Sequence, residues 1–151
     1  MKAYKGIGSP CTNKIKLVLA GKGTDKLDLP YNCITLGMKK DIEKYYNMAD
    51  IVIVPSAFGE GFSNVLVEGM LTNLLPVATD VGDSKKIIGS TGFIIKGHSE
   101  ETLKKELSKI LKIKHTLIQS MGKKARHRAY KLFSVEKMIK SYDNIFSKVK
   151  S

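Results

Sequence analysis

"DIVIVPSAFGEGFSNVLVEGMLTN", residues 50–73, changes its hydrophobic rhythm halfway along. Ile51 to Val54 is a continuous apolar run stopped by Pro55, which predicts a strand covered on both faces. After a loop in which Glu60 stands between Gly59 and Gly61, the stretch Ser63–Asn73 predicts a helix with Ser63 as its N-cap. Strand, glycine loop and helix in that order form the repeating unit of a parallel α/β sheet. Within the helix, Glu68 lies inside an otherwise apolar run, so the unit carries two acids that core packing does not explain.

The same rhythm extends on both sides. KIKLVLAG (14–21) and NCITLG (32–37) predict two earlier strands, each ended by glycine, and KKDIEKYYNMA (39–49) predicts a helix with Ile42, Tyr45, Tyr46 and Met48 near one face. Downstream come the strand LPVATD (75–80), a short helix from Asp83, and a last strand GFIIK (92–96). Beyond it only helical patterns remain, over 99–112, 115–133 and 134–149. The first of these opens with Ser99 as N-cap and Glu100 and Glu101 in its first turn. The expected architecture is a single α/β domain over residues 1–151. It is Rossmann-like, with a mainly parallel sheet flanked by helices and a C-terminal helical tail.

Composition narrows the class. The formal net charge is +12, but residues 104–151 hold 12 lysines and 2 arginines against 3 acids, while residues 1–103 are nearly balanced. Lysine bias without an accompanying motif predicts a solvated helical face, with weak attraction to an anionic membrane surface next and no nucleic-acid partner. No apolar stretch has the length of a membrane span, and MKAYKGIGSP has no apolar signal core. Cys11 and Cys33 are too far apart for a CxxC pair and read as thiols of a cytoplasmic protein. His98, His115 and His127 lack metal-ligand spacing, so no metal cofactor is expected.

In a parallel α/β sheet ligands collect at the carboxyl ends of the strands, beside helix N-termini whose unpaired N–H groups attract phosphate. Glu60 and Glu68 would repel phosphate but can accept hydrogen bonds from neutral hydroxyls. Glu68 follows Ser63 by five residues, roughly 7.5 Å along a helix, about the reach from a diphosphate to an attached sugar ring. A ligand with polyol, diphosphate, polyol order fits that spacing, as a nucleotide sugar does. A solvated loop acid and a solvent-facing helix acid fit it equally.

PSAFGEGFSNVLVEGM (55–70) resembles the E-x7-E motif of the retaining group 1 glycosyltransferases, family four, which have the two-domain B-type fold. KLVLAGKG, ITLGM, YYNMADIVIVPS and LPVATDVGDSKKIIGSTGFII are similar to that family's other segments, in order. The resemblance implies that Glu68 binds ribose hydroxyls and that Glu60, the one catalytic position, binds hydroxyls of the donor sugar. Backbone N–H groups of Gly61, Phe62, Ser63, Asn64 and Val65 would line the sugar and diphosphate. Gly21 and Gly37-Met38-Lys39 would border diphosphate and base, with no metal. The partners implied are a nucleotide-sugar donor and a carbohydrate or lipid-linked acceptor, at the inner face of the membrane if the basic tail engages it.

The chain departs from the family pattern in three places. The Gly-Arg turn and the lysine that neutralises the diphosphate have no match, and Lys86 stands where an acid is usual. The N-terminal acceptor domain is also missing, so the resemblance implies the donor half of a transferase, either cut off from the rest or encoded apart, with the other half then a partner on a separate chain. In the resembled fold the domain's first strand lies between the strands expected near 15–20 and 51–54. Residues 1–13, with Gly6, Gly8 and Pro10, offer no counterpart, so a gap is expected there. A non-catalytic nucleotide-sugar module and a sugar-nucleotide epimerase of the same fold are the alternatives.

Overall fold

The computed structural model describes residues 15–29, 33–58 and 61–149. Five strands are present among them: β1 (Leu17–Ala20), β2 (Cys33–Gly37), β3 (Ile51–Val54), β4 (Leu75–Thr79) and β5 (Phe93–Ile95). The helices are α1 (Ile42–Tyr46), α2 (Asn64–Leu71), α3 (Ser84–Ile88), α4 (Glu100–Ile110), α5 (His115–Phe133) and α6 (Val135–Val149), with a 3-10 turn at Thr24–Lys26. All strand pairings are parallel, as the alternation of apolar runs and helices requires.

Among the described residues the strands form two ladders, β1–β2 and β3–β4–β5, with no strand pairing between them. The strand whose absence was expected between those near 15–20 and 51–54 would have to come from outside the described residues. Residues 1–13, whose composition motivated that expectation, lie outside them. β4 is buried along its whole length, because β3 and β5 flank it and helices cover both faces. β3, by contrast, alternates: Val52 and Val54 are buried while Ile51 and Ile53 are half-buried. The expectation of a strand covered on both faces holds for β4 better than for β3, whose one ladder partner among the described residues is β4.

Two apolar clusters sandwich the larger ladder. On one face Val54 and Ala78 meet Leu66, Val67 and Met70 of α2, Ile87 and Ile88 of α3, and Ala125 and Ala129 of α5. On the other, Leu75, Val77 and Ile95 meet Leu103 and Ile110 of α4 and Ile118 of α5. Leu66 and Met70 are fully buried, and each such side chain contributes about 1.5–3 kcal/mol through removal from water. This anchors α2 and leaves its opposite side, with Asn64, Val65 and Glu68, in solvent. The last element, α6, is amphipathic but uncovered: Val135, Met138, Ile139, Tyr142, Ile145 and Phe146 follow helical spacing and are all exposed.

Helix α1 is shorter than expected, five residues rather than the span 39–49. The chain turns at Asn47 and Met48, with both residues bonding back to carbonyls of the last turn. Ser99 caps α4 as expected, its hydroxyl accepting from the Thr102 N–H at 3.2 Å. The lysines of α4 and α5 are solvated, in keeping with the reading of the basic tail as an exposed face. No helix among the described residues is long and apolar enough to cross a membrane.

Candidate functional site

β3 ends at Val54, and the chain passes through Ser56 and the exposed Phe58 before α2 begins. The buried Thr79 hydroxyl, at the end of β4, donates to the Ser56 carbonyl and so ties this loop to the sheet. Gly59 and Glu60 lie outside the described residues. The loop resumes at Gly61, whose carbonyl accepts from the Asp83 N–H at 3.2 Å, just ahead of α3. Phe62 is half exposed and sets its ring edge-on against Phe133 at the end of α5, with centroids 5.3 Å apart.

Ser63 then opens α2 in extended conformation, with φ −85° and ψ 102°, as an N-cap residue should. It is buried, and its hydroxyl makes no capping bond to the helix. Helix geometry leaves the first N–H groups of α2 without intrahelical acceptors, and no acidic or basic side chain occupies this first turn. The positive end of α2 thus stands at the carboxyl end of β3, beside the exposed Asn64 and Val65.

One and a half turns on, Glu68 projects from the solvent side of α2 toward α1. Tyr46 Oη donates to Glu68 Oε2 at 3.1 Å. Burial first, then the charge and the hydrogen bond of Glu68, push the Tyr46 phenol from 10.0 up to about 12. The phenol therefore remains a donor throughout the physiological range. Glu68 and Tyr46 line an open cavity of about 450 Å³ with Lys40, Ile42, Glu43, Leu71 and Thr72. A second hollow, of about 260 Å³, adjoins it at Thr72 and extends past Asp50, Asn73 and Lys123.

The smaller ladder carries the remaining expected residues. At its carboxyl end the Gly21 N–H donates to the Gly37 carbonyl at 2.8 Å. Thr24 completes the knot: its hydroxyl donates to the Gly21 carbonyl at 2.9 Å and accepts from the Gly37 N–H at 3.0 Å. Both glycines have positive φ, 132° and 66°, which other residues adopt only with strain. Met38 and Lys39 follow directly and are exposed.

The structure thus brings Gly21 and Gly37 together on one ladder and places Ser63, Asn64, Val65 and Glu68 along one helix of the other. Sequence reasoning passed over three participants: Thr24, Tyr46 and Lys40. Tyr46 carried a signal, since a tyrosine at the end of a short helix between two strands invites a partner for its hydroxyl. Thr24 and Lys40 carried none. Among the described residues, no three His, Cys, Asp or Glu side chains gather as a metal ion would require.

Comparison with known proteins places this geometry. The chain is 26% identical over 142 residues to N-acetyl-alpha-D-glucosaminyl L-malate synthase of Bacillus anthracis, covering 87% of this chain and 37% of that protein. The chain thus spans well under half of that relative. Among solved structures, Anabaena Alr3699/HepE in complex with UDP-glucose superposes with a TM-score of 0.79 at 20% identity, covering 98% of this chain and 45% of the other. TarM matches with a TM-score of 0.77 at 21% identity, over 96% and 31% of the two chains. Sucrose-phosphate synthase from Thermosynechococcus elongatus matches with a TM-score of 0.72 at 22% identity, over 88% and 39%. These likenesses establish a shared fold. The family model described as "Glycosyl transferases group 1" matches residues 2–112. Since that match spans most of the chain, the protein belongs to the group 1 glycosyltransferases.

Proposed function

We propose that this chain is the donor-binding half of a two-domain glycosyltransferase. It would bind a nucleotide sugar and serve transfer of the glycosyl group, with retention, to a carbohydrate or lipid-linked acceptor. The observation that carries the reading is the arrangement on α2. A buried Ser63 opens the helix at the carboxyl end of β3, and Glu68 stands one and a half turns further along beside an open cavity. The N–H groups of Gly61 to Val65 take the diphosphate and sugar, Glu68 takes the ribose hydroxyls, and Glu60 takes hydroxyls of the donor sugar. Gly21, Gly37, Met38 and Lys39 border the diphosphate and base.

In the reaction the anomeric carbon–oxygen bond to the diphosphate breaks, a bond to an acceptor oxygen forms, and the acceptor hydroxyl releases its proton. The N-terminal dipole of α2 stabilises charge on the departing diphosphate, a preorganised electrostatic contribution. No metal has a role in this reading. The acceptor site belongs to the N-terminal half of the two-domain enzyme. The protein works in the cytoplasm, with its basic C-terminal region weakly drawn to the inner face of the membrane.

UDP and UDP-glucose are the first ligands to test, since the Anabaena structure holds UDP-glucose on the same fold. Calorimetric titration of the chain is expected to show binding of both and no sugar transfer by the chain alone. Glu68→Gln is expected to weaken UDP binding roughly ten- to hundredfold, the worth of a hydrogen bond to a charged group at about 1.5–3 kcal/mol. Unchanged affinity in that variant refutes the ribose role, and robust turnover by the single chain refutes the half-enzyme reading.

A further inference from the structure

We propose that Phe133, at the far end of α5, is a positioning residue that sets the loop Gly61–Ser63 for the sugar of the donor. The inference rests on the donor-site reading above and extends it to a residue 71 positions away in the sequence. Phe62 has no apolar core of its own and is half exposed, yet its ring meets Phe133 edge-on, with centroids 5.3 Å apart and planes at 72°. That is a preferred aromatic geometry. Phe133 is itself seated, half-buried, against the cluster formed by α2, α3 and α5.

The loop is thus held at successive residues by different elements: Gly61 by the Asp83 N–H, Phe62 by Phe133, and Ser63 by its own burial. Of these, only the ring contact is made by a side chain remote from α2 and α3. The direction of the loop N–H groups depends on it. Glu68, by contrast, projects from the opposite side of α2, where Tyr46 holds it, and Phe133→Leu keeps an apolar side chain against the buried side. The two parts of the donor are therefore separable: the nucleoside is read by Glu68 and the diphosphate by the N–H groups of Asn64 and Val65 in the first turn of α2, and the sugar by a loop that Phe133 steadies.

The test compares UDP with UDP-glucose on the full chain carrying Phe133→Leu or Phe133→Tyr. Leucine keeps an apolar side chain against the core but has no ring edge, whereas tyrosine keeps the ring. We expect Phe133→Leu to bind UDP within about twofold of the unaltered chain but to lose roughly two- to tenfold in its preference for UDP-glucose. Phe133→Tyr restores the preference. Without ligand, the amides of Gly61–Ser63 exchange faster in Phe133→Leu than in the unaltered chain and return to normal in Phe133→Tyr. An unchanged preference in Phe133→Leu, or equal loss for both ligands, or failure of tyrosine to restore it, overturns the positioning role alone. If the unaltered chain binds neither ligand, the donor-site reading falls and takes this inference with it.

Discussion

Gly122→Ala tests the packing that holds α2 in place. Gly122 is buried in α5, where the helix crosses the turn between α2 and β4. An added Cβ would lie 1.9 Å from the Asn73 carbonyl oxygen and 2.8 Å from its carbon, whereas ordinary contact begins at 3.4 Å. The shortfall of about 1.5 Å falls on backbone, and Asn73 already sits at φ 65°. The turn therefore has little room to yield, and α5 must lift. Overpacking of this kind costs about 3 kcal/mol, the upper part of its usual range. Alanine in place of glycine inside a helix returns about 1 kcal/mol. The net expectation is a loss of about 2 kcal/mol. With a urea m-value of about 2 kcal/mol/M for a domain of this size, the unfolding midpoint drops by about 1 M. Circular dichroism through a urea series measures it. A midpoint equal to or above that of the unaltered chain would mean that helix propensity outweighs the clash, and that α5 does not rest on the Asn73 turn.

Two further expectations concern single contacts. Tyr46 is raised from 10.0 to about 12 on folding, so the unfolded chain loses this proton first. Its contribution to stability is then full below pH 10 and is lost as pH rises toward 12. Tyr46→Phe should remove a step near pH 12 from the 295 nm phenolate absorbance and flatten the fall in stability across that window, and an unchanged upper limb refutes the raised Tyr46 phenol. Arg128 donates to the Ile87 carbonyl at 2.8 Å and the Lys86 carbonyl at 2.7 Å, closing the end of α3. Arg128→Met should cost about 2 kcal/mol in urea unfolding, and a change under about 0.5 kcal/mol would show that water replaces the guanidinium without loss.

Elements whose cause is local were legible in the chain. Pro55 and the glycines at 21 and 37 end apolar runs, so the ends of β1, β2 and β3 fall within a residue of expectation, although β1 starts three residues late. Ser63 and Ser99 stand where polar sequence turns apolar, and both flank helices as expected. Contacts made between distant elements were hidden. Arg128 looked like one more charge on a basic face, yet its head reaches back 41 residues to the carbonyls of α3. Tyr46 was counted only as an apolar face of α1, because nothing in its neighbours fixes how α1 lies against α2. The uneven cover of β3 was hidden for a related reason: an apolar run states what a strand tolerates, and its place in the ladder decides what it receives.

The division of the strands into two ladders bears on how tightly any ligand can be held. Gly21, Gly37, Met38 and Lys39 ride on one ladder, Ser63 and Glu68 belong to the other, and the Tyr46–Glu68 hydrogen bond spans the ground between them. A ligand touching both sets requires the two ladders aligned at the same moment. Its apparent dissociation constant is the intrinsic one divided by the fraction of molecules already aligned. Whatever bridges β1 and β3 would raise that fraction and sharpen affinity without touching the ligand. The ligand, by the same linkage, would favour the bridged arrangement, so recognition and completion of the sheet are two readings of one equilibrium.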